Sequence, residues 1–396
     1  VSALREVRKH TERFAIVNDG PWGTMCARVD CMPSKALIEA ANAYHRRHVF
    51  DELGIRGAER LSIDTQAVLE RVRAMRDDFV RGALELTQGL GERAISGRAR
   101  LLDPGSVQVG SETLHAKKII LATGSRPVVP AAFAKLGARL LTTDTLFEQR
   151  MLPARLAVVG MGAIGTEMAQ ALARLGTQVY GFDTAPFVAG LRDPRVNEVA
   201  LEALRSDLAL HLGQPAELSP SEHGVHVRSG DVEIEVDAVL AALGRKPNIE
   251  DLGLETLGVP LDARGLPPFD PRTLQIPGTD VFITGDMNAA RPLLHEANDD
   301  GYLAAMHALD PKRAANARRE KLTIAFCDPN IASVGKRYSE LGDDERCIGE
   351  ASFTRQGRAR IALRNHGMIR LYGHRTRGHL VGAELCAPDG EHLAHW

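Results

Sequence analysis

Short apolar runs alternate with longer amphipathic stretches along this chain, the rhythm of an α/β protein. Residues 14–17 (Phe-Ala-Ile-Val) read as a strand that follows a helical stretch at 2–10 and ends in the turn residues Asn18-Asp19-Gly20. Helical spacing is found at 36–48, over a long charged stretch at 65–88, at 166–175 and at 293–308. Apolar strands are expected at 118–122, 156–159, 178–182, 237–243 and 280–283. Residues 94–113 read as short strands with a turn at Asp103-Pro104-Gly105. After a polar, basic linker at 310–320, strand-like patterns recur at 323–326, 368–372 and 380–385. The stretch 2–10 resembles the back half of a helix, and Trp396 falls in a helical-looking run, so the sequence reads as a piece trimmed at both ends.

At 396 residues the chain is long enough for two to four domains. A net charge of −2 gives no general attraction to nucleic acid or to an anionic membrane, and no apolar run reaches spanning length. Five cysteines are too few for a disulfide scaffold in a chain of this size, and two of them stand close together. One close pair in a thiol-poor chain points to redox chemistry in a reducing compartment, hence the cytoplasm.

That pair, Cys26 and Cys31, lies in Gly23-Thr24-Met25-Cys26-Ala27-Arg28-Val29-Asp30-Cys31-Met32-Pro33-Ser34-Lys35, just before a helix. The spacing lets a short loop close into a disulfide at a helix start. A thiolate there meets unpaired N–H groups and the positive end of the helix dipole, which favour it. Two structural cysteines or half of a zinc site are the alternatives, but no second Cys/His pair stands at ligand spacing.

The strand at 156–159 runs into Gly160-Met161-Gly162-Ala163-Ile164-Gly165 and then a helix. This is a dinucleotide fingerprint in its proper context. The first glycine makes the turn, the second admits the pyrophosphate and the third lets helix and strand pack. Asp183, at the end of the next strand, suits the ribose 2′-hydroxyl of NAD and repels the 2′-phosphate of NADP.

The cysteine stretch resembles the redox disulfide of the flavin-dependent pyridine nucleotide–disulfide oxidoreductases, and its Pro-Ser-Lys ending resembles their dihydrolipoamide dehydrogenase and mercuric reductase branches. Asp30 departs from that family, which has glycine there; a carboxylate beside Cys31 raises the thiol pKa. Five further segments fit the resemblance in the same order: Ala122-Thr123-Gly124-Ser125-Arg126-Pro127, the glycine loop, Gly244-Arg245-Lys246-Pro247-Asn248, Thr284-Gly285-Asp286, and 326–335 leading into a dimerisation domain. The resemblance implies two Rossmann-like units, for FAD and NAD, and an α+β dimerisation domain. It divides the chain into 1–150 (FAD domain, first part), 151–247 (NAD domain), 248–320 (return to the FAD domain) and 321–396 (dimerisation domain, incomplete). It implies that Asn18 contacts the FAD ribose and that Gly23, Thr24, Thr123, Gly124, Ser125, Gly244 and Gly285 line the cofactors. Asp286 holds the ribityl chain, and Lys35 pairs with Glu167 where nicotinamide meets flavin. His295 is either a flavin neighbour or a structural helix-start residue, and Cys327, Cys347 and Cys386 are inert fillers. The expected FAD glycine loop and the His-Pro…Glu base fall outside the sequence.

The expected function is oxidation of dihydrolipoamide, on a carrier protein or as a small dithiol, with NAD⁺ through FAD and the Cys26–Cys31 disulfide, in a homodimer. The alternatives are a mercuric- or glutathione-reductase-like enzyme on another sulfur substrate, and a non-catalytic NAD-binding or dimerisation protein of the same fold.

Overall fold

The computed structural model describes residues 1–315 and 317–395. Trp396, and position 316 in the predicted linker, lie outside the described residues. The chain forms two compact units, each made of segments distant in sequence.

The first unit comprises Val1–Cys31, Arg76–Arg126 and Arg245–Arg319. Two parallel strand pairs run through it: Ile16–Asn18 with Ala94–Ser96, and Ile119–Leu121 with Val281–Ile283. Val281, Phe282 and Ile283 are buried in succession because both faces of their strand are covered. Val281 and Ile283 pack with Leu252, Leu254 and Met287, whereas Phe282 faces Leu274 and Leu303. An antiparallel meander, Ala99–Asp103, Ser106–Val109 and Glu112–His115, makes up the predicted short strands. The helix Leu294–Leu309 packs on Ser2–Val7. The 310–320 stretch is without helix or strand at its described positions, yet Arg318 ties it to Glu296 and Asp300 of that helix.

The second unit comprises Met32–Met75, Pro127–Gly244 and Glu320–Trp396. Its centre is a five-stranded parallel sheet in the order Ala209–Leu212, Gln178–Asp183, Arg155–Val159, Ala238–Ala241, Leu140–Leu141. Alternation along Arg155–Val159 assigns its faces. Leu156 and Val158 meet Met168 and Leu172 of the helix Ala163–Arg174; Ala157 and Val159 meet Val225, Val227 and Val236 of an antiparallel three-stranded sheet. The cluster under the first face also takes in Leu37, Leu69 and Val72, which is why 32–75 groups with this sheet. A second five-stranded sheet is antiparallel, in the order Leu322–Ala325, Asn330–Gly335, Leu380–Ala387, Met368–Gly373, Cys347–Ser352.

The strand expected at 14–17 is Ile16–Asn18, and two expectations about the cysteines change. The helix expected at 36–48 spans Cys31–His45, so the second cysteine is its first residue. Proline at the third helical position is tolerated because first-turn N–H groups have no intrahelical acceptor. Cys327 and Cys386 are buried fillers, but Cys347 is exposed.

Candidate active site

In the first unit, Thr24 caps the short helix Met25–Arg28, its hydroxyl accepting the Ala27 N–H at 3.2 Å. Cys26 lies in this helix and Cys31 opens the next, and both are half-buried, accessible to solvent and reagents. Gly23 turns the chain into the first helix with a φ of 119°. Arg245, which the sequence placed only within a motif, reaches the residue before each cysteine. Its Nη2 donates to Met25 Sδ at 2.6 Å, and its Nη1 lies 4.0 Å from Asp30 Oδ2.

The same guanidinium donates to Ser125 Oγ at 2.9 Å and to the Ser125 carbonyl at 3.0 Å. Ser125 Oγ in turn donates to Asp286 Oδ2 at 2.8 Å. Thus Ser125 and Asp286, which follow the parallel strands Ile119–Leu121 and Val281–Ile283, meet as one feature. Asp300, buried at 1% exposure, accepts the Gly285 N–H at 3.1 Å and the Asn288 amide at 2.7 Å, holding the turn that presents Asp286. Burial pushes the Asp300 pKa up, against the opposing Arg318 charge. Burial also opposes ionisation of Glu296, but hydrogen bonds from Arg291 and Arg318 outweigh it and hold its carboxyl below the usual range. Thr123 Oγ1 donates to the Asn248 carbonyl at 2.6 Å, binding this turn to the Gly-Arg-Lys-Pro-Asn segment. Asn18 spends its side-chain amide on the Gly20 carbonyl at 2.9 Å, a turn contact. His295 is exposed at the start of Leu294–Leu309.

The second unit holds the glycine loop and the lysine–glutamate pair. Gly160 has a φ of 99°, and a Cβ there would strike the Ala242 carbonyl; one at Gly165 would strike the Gly160 carbonyl oxygen. Beside Gly162 there is open space for 4 Å, and no side chain caps the helix it begins, Ala163–Arg174. Two glycines are thus needed for packing and one faces an opening at uncapped N–H groups, which fits a pyrophosphate. Asp183 Oδ2 accepts the Met161 N–H at 2.6 Å and Oδ1 the Ala185 N–H at 2.8 Å, so the acid braces the loop. Each oxygen keeps a lone pair for a ribose hydroxyl. In the first unit the backbone at Gly124 is open in the same way, beside Ser125 and Asp286, which suits the close approach of a flavin nucleotide.

Lys35 Nζ donates to Glu167 Oε2 at 2.9 Å, and Glu167 Oε1 accepts the Phe326 N–H at 2.9 Å. The Lys35 ammonium also sits 4.4 Å from the centre of the Phe326 ring. In the sequence Phe326 is one residue of a longer segment; its clamp on both partners is a tertiary fact. Elsewhere, burial pushes the Cys386 thiol up to about 12 and raises that of Cys327 well above its ordinary value, so both stay protonated. Gly244 has a φ of 92° and lies open, just before Arg245.

Residues 1–319 match the pyridine nucleotide-disulphide oxidoreductase family and 322–395 its dimerisation domain. The chain is 31% identical over 385 residues to a dihydrolipoyl dehydrogenase of Pseudomonas aeruginosa, across 93% of this chain and 81% of that protein. Its fold is similar to that of LpdA from Mycobacterium tuberculosis, with a TM-score of 0.85 at 24% identity, over 99% of this chain and 88% of the other. A Cu(II) complex of the HOCl-induced flavoprotein disulfide reductase RclA from Escherichia coli also has a TM-score of 0.85, at 22% identity, over 100% of this chain and 88% of the other. With its nucleotide loop, cysteine pair and dimerisation sheet, the chain belongs to the pyridine nucleotide-disulphide oxidoreductase family and is a disulfide oxidoreductase that works with FAD and NAD.

Proposed function

We propose that this enzyme oxidises dihydrolipoamide, on a lipoyl-carrier protein or as a small dithiol, with NAD⁺ as acceptor and Cys26 and Cys31 as the redox pair. The observation that carries the assignment of roles is the Lys35–Glu167 pair: 132 residues apart in sequence, the two side chains meet at 2.9 Å. The similarity to a dihydrolipoyl dehydrogenase supports the choice of substrate.

A substrate thiolate attacks Cys26 Sγ, the Cys26–Cys31 bond breaks, and Cys31 leaves as a thiolate. The second substrate thiolate then attacks its own half of the mixed disulfide. The substrate departs as a cyclic disulfide, and its electron pair remains on the two cysteines. Bound FAD supplies the two-electron relay from the dithiol to NAD⁺. Gly124, Ser125 and Asp286 are the residues that would hold the flavin nucleotide, with Asn18, Gly23, Thr24, Thr123, Gly244 and Gly285 lining its site. Gly160, Gly162, Gly165 and Asp183 would hold NAD. Lys35, fixed by Glu167 and Phe326, would set the charge beside flavin N5. We further infer a homodimer built on residues 322–395, working in the cytoplasm. The four segments ending at 150, 247, 320 and 396 would be its FAD domain, NAD domain, FAD-domain return and dimerisation domain.

The test is NADH formation from dihydrolipoamide by the FAD-loaded full-length protein. Cys26→Ser and Cys31→Ser should each lower kcat by at least about a thousandfold with FAD content unchanged. Turnover at the wild-type rate in either variant would remove the cysteines from the mechanism, and failure of the wild type to oxidise dihydrolipoamide would remove the substrate.

A further inference from the structure

Asp30 puts a carboxylate directly before Cys31, where it opposes the thiolate this chemistry needs. The first unit contains the answering charge. Arg245, whose side chain is only 9% exposed, lies 4.0 Å from the Asp30 carboxylate, itself 18% exposed. In that sheltered position a guanidinium and a carboxylate are poorly screened by solvent. The same guanidinium donates to Met25, the residue before Cys26, and to Ser125, which bonds Asp286. One side chain therefore reaches the neighbour of each cysteine and the serine that bonds Asp286.

The other charged groups around the pair have engagements of their own. Arg28 folds its stem against Gly23. Arg76, on the helix Thr65–Gln88 whose Val80 packs at Gly23, pairs with Asp77 at 2.9 Å. Lys35, one turn beyond Cys31 on the same helix, is held by Glu167. Asp286 stands behind Ser125.

We propose that Arg245 is a positioning residue for the cysteine pair: it offsets the Asp30 charge and ties the residue before each cysteine, through Ser125, to Asp286. This rests on the reading of Cys26 and Cys31 as the redox pair. A sequence carrying Asp30 therefore depends on Arg245 for thiol reactivity, as one with a neutral residue there would not.

The test is alkylation of the reduced FAD-loaded protein by iodoacetamide as a function of pH, with the Cys26 and Cys31 peptides resolved by mass spectrometry so that exposed Cys347 does not contribute. Arg245→Gln should raise the alkylation midpoint of the pair by about one pH unit. Asp30→Asn should lower it, the double variant should return close to the wild-type midpoint, and Arg245→Lys should hold it. A purely structural arginine would give no return in the double variant, and that result, or an unmoved midpoint in Arg245→Gln, overturns the proposal. Should Arg245→Gln not fold, Asp30→Asn alone decides: an unchanged midpoint refutes the compensation. Because alkylation reads the thiols without turnover, its failure is distinct from failure of the dihydrolipoamide assay.

Discussion

Two contacts hold the Lys35 ammonium in place, and a third holds the carboxylate it meets. The Glu167 carboxylate is 6% exposed and takes both the Lys35 ammonium and the Phe326 N–H, while the Phe326 ring lies under the charge. Glu167→Ala removes the anion and leaves the Phe326 N–H without its acceptor. Glu167→Gln keeps an acceptor but not the charge, and Phe326→Leu removes only the ring, a contact worth about 0.5–1 kcal/mol. NADH-driven flavin reduction should therefore slow in the order Phe326→Leu, Glu167→Gln, Glu167→Ala, from about threefold to beyond a hundredfold. Rapid-mixing absorbance measurements at matched FAD content check this, and an equal effect of all three would show that the ring and the charge do not act separately. The Lys35–Glu167 pairing, across 132 residues, was expected only through the family resemblance. Arg245 also stood in a family motif, but its contact with Met25, 220 residues away, is brought about only by the folded chain.

Between strand Arg155–Val159 and helix Ala163–Arg174 the chain turns within three residues, and each glycine there has a different neighbour. Gly165→Ala drives a methyl group into the Gly160 carbonyl, so helix and strand must separate; overpacking of this kind costs about 1–3 kcal/mol. Gly162→Ala meets only open space, and its backbone at φ −66° suits alanine. The expected outcome is a split. Gly165→Ala lowers both the melting temperature and NADH affinity, whereas Gly162→Ala leaves melting unchanged and weakens NADH binding by tenfold or more. Calorimetry and an NADH titration read the two effects; wild-type affinity in Gly162→Ala would mean that the opening does not receive the pyrophosphate. The loop was readable because its spacing encodes backbone geometry. The start of Cys31–His45 was less so, since Pro33 looks like a boundary although the first turn accommodates it. The helix Pro194–Arg205 carries its own signal in the sequence: Asp193 caps it with a 3.0 Å bond to the Arg195 N–H, and proline follows at its first position.

Across the whole molecule, the matched segments 1–319 and 322–395 are joined within the second unit by a buried polar network that no local pattern announces. Tyr372, fully buried on strand Met368–Gly373, places its hydroxyl 2.9 Å from Asp193 Oδ2 and 3.1 Å from Glu384 Oε2. Arg370 donates to both Asp193 oxygens at 2.7 Å, and Arg195 offers it a backbone N–H. Glu384 accepts the backbone N–H groups of Arg192 and Tyr338; Glu350 Oε2 lies 3.4 Å from Arg370 Nε. A phenol has one hydrogen and so can donate to only one of the two carboxyl groups. The second contact is satisfied when Glu384 keeps its own proton and donates it to the phenol oxygen. Burial is the main cause that raises the Glu384 pKa, with the Asp193 charge adding to it, and burial likewise raises that of Tyr372 beyond the normal phenol range. A carboxyl whose folded pKa is raised binds its proton more tightly when folded. Its contribution is complete below the unfolded carboxyl value of about 4.3 and is lost as pH rises through the raised one. Glu384→Gln keeps a neutral donor in that place at every pH. The melting temperature of the variant should therefore gain on that of the wild type as pH rises from about 5 to about 8, by about 2 °C for each kcal/mol recovered. Groups common to both proteins cancel in the difference, including Asp328, which the Arg174 and Arg364 charges hold low against burial and which acts in the opposite, acidic direction. A difference that stays constant with pH would mean that Glu384 is already ionised in the folded protein. The phenol hydrogen would then be shared between two anions, and Arg370 alone would have to balance them.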